Sequence, residues 1–312
     1  MTELSKKIID PDYVPLLFGL TPPAADTDPG KLAGINRRRI ERLGAAALDG
    51  LCLYDIQDES VRADSARPYE NRRFMDPSAY RQSLAPVSGL ETVSYCAVGC
   101  FASGELSGWI EDISPGPMVF VGKPGSNAPA KTSLKEAYGI YAHSGKTGPL
   151  GGVCIPERHS GYNSEAERMA GKIANGVNFF VTQCIYDPAS TERMLVDYAR
   201  ICEHIRVPPK KILFTFSPAG SAKAVGFFKW LGVRIPEKTE KRILEADDPL
   251  AESTDILEES AAGLARNCGR LGIPFGMNVE SVISKKEDFL AAVGLAAKLQ
   301  NLISRHREPL AV

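Results

Sequence analysis

The chain has 312 residues, which suits a single α/β barrel around one core, and it is 44% hydrophobic and 24% charged, the balance of a globular protein. Its 37 basic and 38 acidic residues leave a formal net charge of -1, which argues against nucleic acid or an anionic membrane as partner. No window approaches the roughly 18 uninterrupted apolar residues of a membrane helix, and the opening "MTELSKKIIDPDYV" lacks the apolar core of a signal peptide, so a cytoplasmic location is expected.

Short apolar runs alternate with longer amphipathic ones along the chain. "VPLLFGL" (14–20) precedes a predicted helix over 33–48, and "GLCLYD" (50–55) precedes an arginine-rich segment, 56–76, and a helix over 77–86. "ETVSYCAVG" (91–99) and "MVFVG" (118–122) come next, then a helix over 132–143 and "GGVCI" (151–155). In the helix over 164–175, Ala166, Met169, Ala170 and Ile173 form an inward stripe at i, i+3, i+4, i+7. "VNFFVTQ" (177–183) follows, and the helix over 189–205 carries a similar stripe of Met194, Leu195, Tyr198 and Ile201. "KILFTF" (211–216), helices over 219–230 and 250–269, "IPFGMNV" (273–279) and a helix over 284–303 complete the chain.

Eight continuous apolar strands separated by helices predict a parallel sheet covered on both faces and closed into a (β/α)8 TIM barrel, one domain over 1–312. An open doubly wound sheet is the alternative, but no G-x-G-x-x-G follows any strand. Seven cysteines without C-x-x-C spacing fit reduced thiols, with Cys154 and Cys184 read as small buried hydrophobes, and four scattered histidines give no metal site.

In such a barrel, function sits at the strand C-termini. The segments after the strands bring Asp55, Asp58, Glu59, Glu157, His159, Gln183 and Asp187 to that face. Gln183 is the most informative, because a buried amide must satisfy its donors and acceptors. It either bonds to the fold or points at a ligand.

"GGVCIPERH", the helix "EAERMAGK" (165–172) and "GVNFFVTQCIYD" (176–187) together resemble the methylenetetrahydrofolate reductase family. That family has a P-E-x-H segment after its fifth strand, a helix ending in Lys, and a strand closing in T-Q-x-x-[FY]-D. The matching residues here are Pro156, Glu157, His159, Lys172, Thr182, Gln183, Tyr186 and Asp187. The resemblance implies a barrel that binds a reduced folate, with FAD passing hydride from NADH or NADPH to the 5,10-methylene carbon. It assigns Gln183 and Asp187 to the folate, and Tyr54 and Tyr95 are further candidates for binding it. Glu157, His159, Arg168 and Lys172 would serve the cofactor. A second copy of the chain or a partner methyltransferase are the further partners it leaves open.

The departures from the family matter equally. Gly19 stands where the family carries its acid glutamate on the first strand, and Gly122, Lys123 and Pro124 replace an R-G-D segment near the flavin. Tyr95 takes a histidine position, and Ala222 that of an aromatic covering the folate. FAD is therefore expected to be weakened or absent. Glu59 and Asp55, at the end of the neighbouring second strand, are the candidates to replace the lost acid, unless "DIQDES" only caps a helix or pairs with Arg62, Arg67 or Arg72. The two resulting readings are a reductase interconverting 5,10-methylene- and 5-methyltetrahydrofolate, and a folate-dependent methyltransferase or folate-binding subunit without redox activity. The segment 56–76 would be a lid, a clamp for a folate's acidic tail, or a solvated loop, and "KPGSNAPAKTS" (123–133) is only a weak phosphate signal.

Overall fold

The computed structural model describes residues 1–57, 67–70, 72–122, 130–160, 164–283 and 285–307. Within these, β1 (Leu16–Leu20), β2 (Gly50–Leu53), β3 (Thr92–Ala97), β4 (Met118–Val121), β5 (Leu150–Cys154), β6 (Phe179–Cys184), β7 (Lys211–Phe216) and β8 (Phe275–Glu280) form one closed parallel barrel. Strand order follows chain order, and β8 pairs with β1 to close the ring. This is the (β/α)8 TIM barrel, and each strand lies within two residues of its apolar run.

The helices are α1 (Glu3–Ile9), α2 (Pro29–Leu43), α3 (Pro77–Leu84), α4 (Ser103–Asp112), α5 (Leu134–His143), α6 (Glu165–Ala174), α7 (Pro188–His204), α8 (Ala222–Trp230), α9 (Glu237–Leu244), α10 (Pro249–Leu271) and α11 (Lys286–Arg307). Three of them, α1, α4 and α9, have no counterpart among the expected helices. α9 is charged almost throughout and buries only Ile243, so its apolar signal is slight. Four helices, α2, α3, α7 and α10, start with Asp at the cap and Pro at the first helical position. The carboxylate accepts free backbone N–H groups there, and proline has no N–H to leave unpaired. Among the described residues no helix is long and apolar enough to cross a membrane.

Side chains alternate along each strand, one set packing on the helices and the other filling the barrel. The inner set comprises Leu17, Cys52, Val93, Val119, Phe179, Val181 and Leu213, with Tyr54, Tyr95, Val121 and Val153 above them. α1 plugs the bottom with Leu4 and Ile8, which is why Gly50 has no side chain: a Cβ there would stand 2.6 Å from the Leu4 methyl. Lys211 opens β7 at the same end, only 3% exposed, and its ammonium donates to the carbonyls of Lys7, Asp10 and Tyr13. Glu91 accepts from the first backbone N–H groups of α1, at 3.2 Å from Glu3 and 2.8 Å from Leu4.

Candidate functional site at the barrel mouth

At the opposite end the barrel opens through Gly19, Tyr54, Tyr95, Gln183, Thr215, Asn278 and Glu280. Gly19 pairs in register with Glu280 across the β1–β8 seam and with Cys52 on β2. The space over Gly19 belongs to Tyr54, since a Cβ there would lie 2.4 Å from the phenol oxygen. A glutamate on β1 and this Tyr54 pose cannot coexist. Tyr54 meets Tyr95 edge-on, with ring centroids 4.9 Å apart, and the two rings form an aromatic floor.

The Tyr54 hydroxyl accepts from Asn278 Nδ2 at 2.8 Å, and its ring fills the space over Gly19, the register partner of Glu280. Asn278 Nδ2 also donates to Thr215 Oγ1 at 3.2 Å, while its Oδ1 is buried with no hydrogen-bond partner among the described residues. Glu280 is half-buried, and enclosure by protein pushes its carboxyl up to about 7, although the Tyr54 hydroxyl partly offsets this. Burial raises both tyrosines, so they stay neutral hydrogen-bonding groups.

Two strands from β8, β6 carries an irregularity. Val181 pairs with Leu213 and Cys184 with Thr215, so β6 uses one residue more than β7 over that interval. Thr182 Oγ1 accepts the Thr215 N–H at 2.9 Å and stabilises this bulge. Bulges re-aim side chains at the rims of barrels, and here the re-aimed residue is Gln183. Its Nε2 donates to the Leu231 carbonyl at 2.9 Å, at the end of α8, the one hydrogen bond this side chain makes among the described residues. Gln183 thus bonds to the fold with its donor and keeps an acceptor for the mouth.

Glu157, in the turn after β5, is also half-buried. Burial and the nearby Asp187 push it up to about 7, against bonds from backbone N–H groups that include that of Arg234, and its Oε2 lacks a hydrogen-bond partner among the described residues. Asp187 caps α7, accepting from the Ser190 hydroxyl at 2.6 Å and its N–H at 3.3 Å, with Arg234 Nε 3.4 Å away. Its carboxylate performs the same capping task as Asp28, Asp76 and Asp248.

The remaining candidates lie elsewhere. Asp55 accepts from the Ala97 N–H at 2.7 Å and from the Gln57 amide, tying the end of β2 to the end of β3. Glu59, with Asp58, Arg62, Lys123 and Pro124, lies outside the described residues. Lys172 donates to the Val153 carbonyl and pairs with Glu165 at 3.9 Å; burial lowers its pKa. Arg168 pairs with the other Glu165 oxygen at 3.3 Å, and Glu165 accepts the Ile155 N–H at 3.1 Å, so this trio braces α6 against β5. His159 turns outward, with Nε2 3.1 Å from Asp197 of α7, and lines a groove of about 830 Å³ with residues of α6, α7 and α10. In that groove Asp197 also pairs with Arg200 at 3.4 Å. Glu157, His159, Arg168 and Lys172 therefore do not converge on one ligand and do not fit a flavin as a set.

Residues 67–70 and 72–76 of the arginine-rich segment are among those described. Its described end runs beside the loop after β1, where Met75 donates to the Pro23 carbonyl at 2.9 Å, and it reaches α8, where Arg67 lies 4.8 Å from the Phe227 ring. Burial pushes the Cys154 and Cys184 thiols upward, in keeping with their reading as buried small side chains.

A solved structure aligns at 28% identity and a TM-score of 0.84, covering 96% of this chain and 99% of its own: an uncharacterized protein from Clostridium thermocellum that binds two copies of 5-methyl-5,6,7,8-tetrahydrofolic acid. That neighbour is a folate-binding protein. Two more distant structures share the fold alone: EDTA monooxygenase from Chelativorans sp. BNC1, at 10% identity and TM-score 0.51 over 95% of each chain, and the HPPK-DHPS of Plasmodium falciparum with pterin and p-hydroxybenzoate, at 7% and 0.50 over 96% of this chain and 50% of the other. No family model and no curated protein matches the chain. The comparisons thus support a TIM barrel with a folate-binding neighbour, which is coarser than the family expected from Pro156 to Asp187.

Glu280 and Asn278 were not among the expected site residues. The signal was barrel closure itself: the first strand has two neighbours, and the expectation looked only to the second strand for a carboxylate, although "GMNVE" ends the eighth.

Proposed function

We propose that this protein binds a reduced folate, 5-methyltetrahydrofolate or a close relative, with the pteridine in the barrel mouth between Gln183 and Glu280. The observation that carries the reading is the folate-binding neighbour, which matches nearly end to end. The chemistry of the mouth agrees with it. β6 and β8 flank β7, so two spacings of about 4.8 Å set their ends about 10 Å apart at the mouth. A two-ring heterocycle with hydrogen bonds on both edges is long enough to reach both, over the floor made by Tyr54 and Tyr95. Gln183 Oε1 offers an acceptor on one side, and a protonated Glu280 offers a donor on the other.

Between the two reactions, the geometry favours methyl-group chemistry or folate holding without a redox step. The residues assigned to a flavin are engaged within the fold. The reductase reading retains its support from the Pro156 to Asp187 motif and would take hydride from NADH or NADPH. The visible spectrum of the purified protein, followed by calorimetric titration with 5-methyltetrahydrofolate, tests both. Saturable binding by a colourless protein is expected. Stoichiometric flavin absorbance would return the reductase reading to first place, and absence of binding would remove the folate altogether.

A further inference from the structure

The long segment between β2 and α3 is attached to the barrel in two places, by two different kinds of contact. At the loop after β1 it is joined through its backbone. Phe74 forms an antiparallel bridge with Ala24, the Ala25 N–H donates to the Arg73 carbonyl at 2.9 Å, and the Met75 N–H donates to the Pro23 carbonyl at 2.9 Å. At α8 it is held by side chains. Arg67 Nη1 donates to the carbonyls of Tyr69 and Glu70, both at 2.7 Å, which curls residues 67–70 around the guanidinium. That guanidinium lies 4.8 Å from the centre of the Phe227 ring and 5.6 Å from that of Trp230, and the two rings stack at 5.9 Å. Tyr69 meets Phe227 edge-on at 5.0 Å, and the Lys223 ammonium stands 4.6 Å over the Tyr69 ring.

Strand order gives the course of this segment. α8 starts after β7 and is followed by Leu231, whose carbonyl accepts from Gln183 of β6, so the helix runs along the rim from β7 to β6. β8 lies between β7 and β1, so a segment fixed to α8 on one side and to the β1 loop on the other crosses the rim at the end of β8. An extended chain from Tyr69 to Phe74 reaches about 17 Å, more than the roughly 10 Å of two strand spacings. Tyr69 also feels the charge of Asp288, in the first turn of the helix that follows β8, which agrees with that crossing.

We propose that residues 67–70 and 72–75 form a latch on the barrel mouth, hinged by the backbone pairing at the β1 loop and caught on α8 by Arg67 and Tyr69, which closes over a bound ligand and sets how fast it leaves. The identity of that ligand rests on the folate reading above. A segment paired through its backbone at both ends would be a fixed wall. Here the catch is ring and cation packing, which separates as a unit without breaking a backbone ladder. The catch also sits on the helix whose end holds Gln183, so closure and the grip on the ligand share one element. Opening uncovers Phe227 and Trp230.

Trp230 reports the catch directly. Trp109 and Trp230 are the two tryptophans of the chain, so Trp109→Phe leaves Trp230 as the only emitter. In that background Arg67→Ala and Tyr69→Ala should each raise acrylamide quenching of Trp230, and 5-methyltetrahydrofolate should lower it in the parent. In stopped-flow measurements both variants should release 5-methyltetrahydrofolate about fivefold faster or more, with a smaller change in Kd because association quickens too. Arg67→Lys keeps the charge but loses the fork that reaches two carbonyls, and should fall between. Two variants at separate points of the catch keep the test open if one does not fold. Unchanged quenching and unchanged release in both would overturn the latch and leave folate binding intact. A raised Kd with unchanged release would also overturn it, since Arg67 and Tyr69 would then act on entry alone. A wild type that binds no folate would remove the folate reading, and quenching of the free protein would still decide: a rise in the variants upholds the latch, and no rise overturns it.

Discussion

The two ends of the barrel treat charge in opposite ways. At the bottom, Lys211 is buried and its ammonium donates to three backbone carbonyls, while Glu91 accepts two backbone N–H groups from α1. At the mouth, Glu280 and Glu157 are enclosed carboxyls raised to about 7, and Asn278 Oδ1 and Glu157 Oε2 have no hydrogen-bond partner among the described residues. Charges that serve the fold arrive with their partners. Unmatched polar atoms at the strand ends are what a ligand would complete.

The largest effect that separates the ends is expected at the bottom. Lys211→Met leaves carbonyls of the α1 segment without their donor and should cost about 3 kcal/mol or more. Urea denaturation should show this loss, and folate affinity in the folded protein should be unaffected. Reduced affinity at unchanged stability would break the division of labour between the ends.

Gly19→Ala comes next. The added Cβ would stand 2.4 Å from the Tyr54 oxygen, so the ring must leave its place beside Glu280. The expected cost is about 1–3 kcal/mol of stability, with a loss of folate affinity that Lys211→Met does not share. Normal affinity would mean that the Tyr54 pose plays no part in binding.

Gln183→Ala and Asp187→Ala sharpen the comparison within the mouth itself. Gln183→Ala should lower folate affinity by about tenfold or more, for a contact worth about 1–3 kcal/mol. Asp187→Ala removes a helix cap and should cost about 0.5–2 kcal/mol of stability, with affinity little altered. Reversed outcomes in calorimetry and thermal melts would exchange the ligand and structural roles of these two residues.

These two residues also show how far the sequence could be read. The eight strands were legible because each is a continuous apolar run bounded by polar turns, which is what burial on both faces demands. Gln183 was legible as an oddity, a polar residue closing a buried strand, but the bulge that aims it was not, because it is defined only by pairing with β7. Asp187 matched a family motif, yet the Asp-Pro pair it forms with Pro188 already carried the signature of a helix cap. Lys172, Arg168 and His159 sat at motif spacing, but spacing along a chain does not say which way a helix faces. Glu280 was hidden by its distance from Gly19 in sequence, which only the closing of β8 on β1 removes.

The smallest expected effect is a pH dependence of stability. For Glu280 the carboxyl is raised from 4.5 to about 7 in the folded state, so between those values the native protein holds more protons than the unfolded chain. Stability should therefore fall as pH rises through that window and level off above it, and Glu157 acts in the same sense. Glu280→Gln should flatten part of this slope, raising Tm at pH 8 relative to wild type and leaving it unchanged at pH 4. An identical slope in the variant would mean that Glu280 is not held in an unfavourable environment.

The position of the pteridine in a crystal of the wild-type protein grown with 5-methyltetrahydrofolate tests the central claim most directly. The account predicts the ring system over Tyr54 and Tyr95, within hydrogen-bond distance of Glu280 on one edge and Gln183 on the other. A folate found only in the outer groove beside His159, or bound at the mouth with neither side chain in reach, would contradict it.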